Sequence, residues 1–183
     1  MVLLKSTDIP LGTPAPDFRL RSVDGKEYAL VDFAGAKALL VMFICNHCPY
    51  VVAVEDRIVQ LQREYGPRGV QLVGICANDP TDYPDDRSEK LLERWRQKEY
   101  GFPYLVDETQ AVAKAYGAVC TPDLYLFDKD RRLFYHGRID DNWQDPSKAT
   151  RRELAAALDR VLAGKAPPEE QWPSMGCSIK WKK

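Results

Sequence analysis

The sequence predicts an α/β domain built on a mixed β-sheet with helices on both faces. Apolar strand-like runs alternate with amphipathic helical runs along most of the chain, and turn residues punctuate the connections. The run Cys45-Asn46-His47-Cys48-Pro49 falls where a buried strand meets a helix, the edge at which such sheets form their clefts.

The elements follow in order. Residues 10–25 carry Pro10, Gly12, Pro14 and Pro16, then Phe18-Arg19-Leu20 and the turn Asp24-Gly25, which with a returning strand at Glu27–Val31 makes an N-terminal β-hairpin extension. Ala38–Ile44 is a fully apolar strand. Val51, Val54, Ile58, Leu61 and Tyr65 recur at helical spacing until Gly66-Pro67. Gly69–Ala77 is a second apolar strand, and Ser88–Glu99 is a charged helix with Leu91, Leu92 and Trp95 as its apolar stripe. Phe102–Val106 is extended, Thr109–Tyr116 is a short helix, and Leu124–Phe127 with Leu133–His136 forms a hairpin around Lys129-Asp130. A last helix begins at a capping box of Thr150 and Glu153 and ends at Gly164. This divides the chain into a domain at 1–164 and a loop-like tail at 165–183 carrying Pro167, Pro168 and Pro173.

Bulk properties narrow the function. With 45% hydrophobic and 29% charged residues, the 183-residue chain has the composition of a soluble globular domain. Its 26 basic and 27 acidic side chains are well mixed, so there is no electrostatic footprint for nucleic acid or an anionic membrane. The N-terminus has no basic segment followed by a long apolar stretch, so the expected location is the cytoplasm. Five cysteines in a reducing compartment suit transient, catalytic disulfides, and the odd number argues against a purely structural framework.

The CxxC at Cys45 and Cys48 is the chemical signal. A helix N-terminus lowers a thiol pKa, and a two-residue spacing lets one cysteine attack a disulfide while the other resolves the mixed intermediate. Half of a zinc site is the competing reading, but the second half is missing: Cys76, Cys120 and Cys177 are scattered, and His136 is the only histidine besides His47. The redox reading is preferred.

Two stretches together resemble thioredoxin-like proteins of the alkyl hydroperoxide reductase and thiol-specific antioxidant (peroxiredoxin-like) group: Cys45-Asn46-His47-Cys48-Pro49-Tyr50, and Val119-Cys120-Thr121-Pro122 before the strand Asp123–Phe127. The resemblance covers residues 10–163 and implies a thioredoxin-like fold in which Thr121-Pro122 is cis and faces the sulfurs. Sequence physics alone favours trans. The stretches Gly137–Trp143 and Met175–Trp181 are similar to a less characterised peroxiredoxin-like subgroup. The chain departs from both parent patterns, because Cys45 stands where peroxiredoxins place a threonine and the Trp-Cys-Gly-Pro-Cys of thioredoxins is absent.

The roles of the sulfurs stay open at this level. Thioredoxin-like logic makes Cys45 the nucleophile, peroxiredoxin-like alignment makes it Cys48, and a helix starting at Pro49 would put Cys48 at the N-cap. Greater accessibility of the preceding loop favours Cys45. His47 either assists a sulfur or is an exposed loop histidine. Cys120 is a third thiol or a small buried hydrophobe, Cys76 the latter. Cys177 lies 13 residues beyond Gly164, far enough for an extended segment to reach about 40 Å and serve as a resolving thiol. Arg138 either binds an anionic or peroxide substrate or pairs with Asp140 and Asp141, and Asn142 and Trp143 are expected to line the cleft.

The leading functional expectation is a thiol-disulfide oxidoreductase cycling a Cys45-Cys48 pair without a cofactor, acting on a disulfide-bearing protein or small molecule and reset by an external thiol reductant. The alternatives are a thiol peroxidase and a Cu(I)-binding protein using Cys45, Cys48 and His47, with His136 or Cys120 as a further ligand.

Overall fold

The computed structural model describes residues 3–183. Its strands are β1 (Leu3–Lys5), β2 (Arg19–Ser22), β3 (Glu27–Ala29), β4 (Ala38–Phe43), β5 (Val70–Cys76), β6 (Tyr104–Val106), β7 (Cys120–Thr121), β8 (Asp123–Phe127), β9 (Leu133–His136) and β10 (Met175–Ser178). The helices are α1 (Pro49–Tyr65), α2 (Ser88–Gln97), α3 (Ala111–Ala115) and α4 (Glu153–Leu162). Seven strands form the central sheet in the order β3-β2-β6-β5-β4-β8-β9, with β4, β5 and β6 parallel and the remaining pairs antiparallel. The sheet is mixed and the fold is thioredoxin-like, as expected.

β4 shows why the sheet must be covered twice. All six of its residues are buried, and the two-residue period sends Leu40 and Met42 into one apolar cluster and Leu39, Val41 and Phe43 into the other. The first cluster packs under α1 and α4 through Val51, Val54, Ile58, Leu154, Ala157 and Leu158. The second lies under α3 and the N-terminal segment through Val112, Ala113, Tyr116 and Phe18. Two charged groups, Glu55 buried and Arg57 half-buried, pin α1 to its neighbours. Glu55 accepts from Arg94 at 2.6 and 2.9 Å and from Lys98 at 2.9 Å, tying α1 to α2. Arg57 pairs with Asp140 and donates to the carbonyls of Asn142 and Trp143.

Two expectations need correction. The capping box at α4 does not form: Thr150 gives its hydroxyl to Asp141, Glu153 pairs with Arg138 at 2.5 Å, and the N-cap position falls to Arg152 without a side-chain cap. Tertiary partners that are charged outcompete the local reciprocal bonds. The segment 165–183 is loop-like only up to Ser174. Beyond it, β10 forms a separate three-stranded sheet in the order β1-β10-β7, and Cys177 and Ile179 enter the two core clusters. Its alternation is too short and its glycine too permissive to read as a strand in isolation. No helix among the described residues is long and apolar enough to cross a membrane.

Because Ile179 is 3% exposed, Ile179→Ala is expected to lower unfolding free energy by about 2–5 kcal/mol in urea titrations. A freely solvated tail would make the substitution neutral.

Candidate active site: a buried dithiol at the start of α1

The turn from β4 into α1 places the site. Pro49 occupies the first helical position, where its missing amide costs nothing, and Cys48 is the N-cap with extended backbone (φ −77°, ψ 119°). The Cys48 carbonyl accepts from Val51 and Val52 at 3.0 Å, so its sulfur sits at the positive end of a 17-residue helix. Across the gap, the Thr121-Pro122 peptide is cis, as the resemblance implies. Thr121 meets both sulfurs: its hydroxyl is 3.3 Å from Cys45 Sγ, and its carbonyl accepts from the Cys48 thiol at 3.1 Å.

Neither sulfur is accessible. Cys45 is 2% and Cys48 0% exposed, so the expectation that the loop side favours Cys45 as nucleophile is overturned. The electrostatics separate the two instead. A hydrogen bond from Cys45 holds the Cys48 thiol down, to about 4, helped by the side chain and backbone N–H of Cys177 and by the Thr121 hydroxyl. Burial pushes Cys45 well up, reinforced by its hydrogen bond to Cys48 and by the charge of Asp86. As a neutral thiol Cys48 donates to the Thr121 carbonyl; as a thiolate it gives up that one acceptor and gains several donors.

Asp86 is the site residue that sequence reasoning missed. Its side chain is fully buried and accepts from the backbone amides of Asn46 at 2.8 Å and His47 at 3.2 Å, from Asn78 Nδ2 at 2.8 Å, and from His47 Nδ1 at 2.5 Å. It therefore holds the Cys45–Cys48 loop in shape. Nothing in Pro84-Asp85-Asp86 distinguishes the inward carboxylate from its exposed neighbour, because the partners come from distant segments. His47 is not an exposed loop histidine: its ring packs on Tyr83 at 4.4 Å between centroids, and its Nε2 is buried without a hydrogen-bond partner.

The other expected residues divide. Cys120 and Cys76 are buried and their thiols are pushed up by burial, which is the behaviour of small hydrophobes. Trp143 packs against Tyr50, with ring centroids 4.3 Å apart and the rings tilted by 43°, beside the CxxC, and the backbone carbonyl of Asn142 serves Arg57. Arg138 is taken by Glu153, not by Asp140 or Asp141, and lies over Trp172. Among the described residues, the group able to hold a metal ion is Cys45, His47 and Asp86, with ligand atoms within 4.8 Å of one another. Cys48 is outside it, and His136 is bound to Asp123 at 2.7 Å, so the four-residue set expected from sequence is not assembled.

The family model described as Redoxin matches residues 10–158. The chain belongs to the Redoxin family. It is 27% identical over 129 residues, covering 70% of each chain, to a protein named thiol-disulfide oxidoreductase ResA from Geobacillus thermodenitrificans. A crystal structure of an uncharacterized conserved protein from Geobacillus kaustophilus superposes with a TM-score of 0.95 at 46% identity, covering 100% of this chain and 97% of that one. A thiol:disulfide interchange protein of the thioredoxin family from Chlorobium tepidum shares the fold, with a TM-score of 0.65 at 20% identity over 85% of this chain and 99% of that one.

The Cys48 shift makes a prediction about pH. Above its pKa the group is thiolate, so the thiolate ultraviolet absorbance of the reduced protein should persist to mild acid and vanish as pH falls through about 4. Cys45→Ala removes the first donor and should move that midpoint upward. Asp86→Ala leaves several buried donors without an acceptor, at about 1–3 kcal/mol each, and should lower thermal stability more than Asp86→Asn does.

Proposed function

We infer that this Redoxin-family chain is a thiol-disulfide oxidoreductase in which Cys48 is the attacking thiolate and Cys45 the resolving thiol. The observation that carries the reading is that Thr121 meets both buried sulfurs, with Cys48 at the N-cap position of α1. The Cys48 thiolate attacks one sulfur of a substrate disulfide and expels the other as a thiolate. Cys45 then loses its proton and attacks the Cys48 sulfur, forming the Cys45-Cys48 disulfide and releasing the second substrate thiol. Once Cys48 is covalently engaged, its anion no longer adds to the burial that holds the Cys45 thiol up, and the His47–Asp86 pair lies close enough to take the proton. A disulfide-bearing protein or small molecule is the proposed oxidised substrate, and an external thiol resets the pair. A cytoplasmic location, where small thiols are abundant, suits that reset.

A redox-buffer titration with disulfide mapping tests the reading. A reversible two-electron transition mapped to Cys45-Cys48 is expected, and Cys48→Ser should cut disulfide reductase turnover by on the order of 1,000-fold or more. Turnover of hydrogen peroxide that outpaces disulfide reduction would instead favour a thiol peroxidase, in which Cys48 passes through a sulfenic acid.

One observation favours a second reading. The unpartnered buried Nε2 of His47 belongs to the Cys45–His47–Asp86 group, a mixed sulfur, nitrogen and oxygen donor set compatible with a transition metal. Stoichiometric metal that survives dialysis against chelator, together with no reductase activity, would put this reading first.

A further inference from the structure

β10 lies along the edge of β7, the strand that ends at the cis Thr121-Pro122 peptide. It runs antiparallel to β7 with Cys177 opposite Thr121 and Ser178 opposite Cys120, so these two residues use the backbone edge immediately before Pro122. Thr121 is also the residue whose carbonyl and hydroxyl touch the two CxxC sulfurs. Cys177 and Cys48 lie in the same buried cluster, and the side chain and backbone N–H of Cys177 help hold the Cys48 thiol down. Cys177 is 1% exposed.

The strand is built for this approach. A Cβ on Gly176 would overlap the carbonyl oxygen of Thr121, so only glycine before the cysteine lets β10 come this close to β7. On either side the segment is clamped: Ser6 N–H donates to Ser174 O at 2.9 Å, Ile179 N–H to Val119 O at 2.9 Å, and Lys180 N–H to Asn78 Oδ1 at 2.8 Å. Gln110 Nε2 donates to the Lys180 carbonyl at 2.8 Å. A cysteine held in extended backbone against the attacking sulfur has the geometry of a substrate already bound.

We propose that Cys177 is a third redox thiol of this enzyme, that β10 acts as a built-in substrate strand, and that Cys48 and Cys177 form an intramolecular disulfide. This rests on Cys48 being the attacking thiolate of the CxxC. With an external disulfide RS–SR′ as oxidant, the Cys48 thiolate bonds to one sulfur and R′S⁻ leaves. Cys177 gives up its proton, its thiolate attacks the Cys48 sulfur, and RS⁻ leaves with that proton. Two electrons have passed from the Cys48 and Cys177 thiols to RSSR′, which is reduced to two thiols. Attack of Cys45 on the Cys48 sulfur then exchanges the bond to Cys45-Cys48 and returns Cys177 as a thiol, with no net electron transfer. The buried Cys177 thiol is held up to about 12 by burial and by its bond to Cys48, an obstacle that eases when Cys48 is no longer an anion.

The test oxidises the full chain with glutathione disulfide, quenches with an alkylating reagent and maps disulfides by mass spectrometry. In Cys45→Ser, the Cys48-Cys177 disulfide is expected as the main product. Accumulation of a Cys48–glutathione adduct with Cys177 alkylated would overturn the proposal. Gly176→Ala keeps every cysteine but denies β10 its approach, and in the Cys45→Ser background it should slow Cys48-Cys177 closure by ~100-fold. Unchanged closure in that variant would also overturn the built-in strand. Cys177→Ser examines the underlying reading separately: it should still form Cys45-Cys48, and if it does not, the CxxC cycle fails independently of the result for Cys177.

Discussion

A buried thiolate has no water to solvate it, and the architecture around Cys48 follows from replacing that water with protein donors. The end of α1 supplies a positive potential, Cys45 supplies a hydrogen bond, and Cys177 supplies both a side-chain and a backbone donor. These come from two widely separated parts of the chain, the stretch from Cys45 into α1 and Cys177 in β10, so the low pKa of one sulfur is a property of the folded state as a whole. An isolated helix start would stabilise the anion far less.

The same requirement explains the scaffold. α1 cannot tilt without moving Cys48 at its N-cap position, and it is anchored to α2 through the buried Glu55 and to the loop after β9 through the half-buried Arg57. Such pairs are weak evidence for net stability, but breaking one partner leaves a buried charge uncompensated, which makes them effective at fixing position. Asp86 does the equivalent work for the loop ahead of the helix. It uses its oxygens on two backbone amides and two side chains, so the loop conformation, the His47 ring and the strand ending at Cys76 are coupled through one carboxylate.

Closure is the other consequence. With β10 on β7, the dithiol is sealed by the chain's own C-terminal segment, and a polypeptide substrate must displace or bypass that strand. Sealing raises the strength of every hydrogen bond in the site because competing water is removed. The arrangement thus links the poise of the thiolate to the position of residues far along the chain.

Much of this was legible in the amino-acid order. The buried strand, the helix beginning at Pro49, the hairpin ending at His136 and the thiol motif between strand and helix all rest on local periodicity and on Pro, Gly and Cys placement, which short-range physics decides. The resemblance carried by Cys45–Tyr50 and Val119–Pro122 added the facing arrangement of the two segments. What remained hidden depends on partners distant in the chain. Thr150 and Glu153 spell a capping box that Asp141 and Arg138 dismantle, and Asp86 looks like any loop carboxylate until Asn46, His47 and Asn78 surround it. The strand character of Met175–Ser178 exists only because β1 and β7 offer their edges. The sequence by itself determined the fold class and the presence of a dithiol. Which sulfur is the anion, and which third thiol meets it, was decided by tertiary structure, because a pKa is set by the charges, donors and solvent that folding brings to the group.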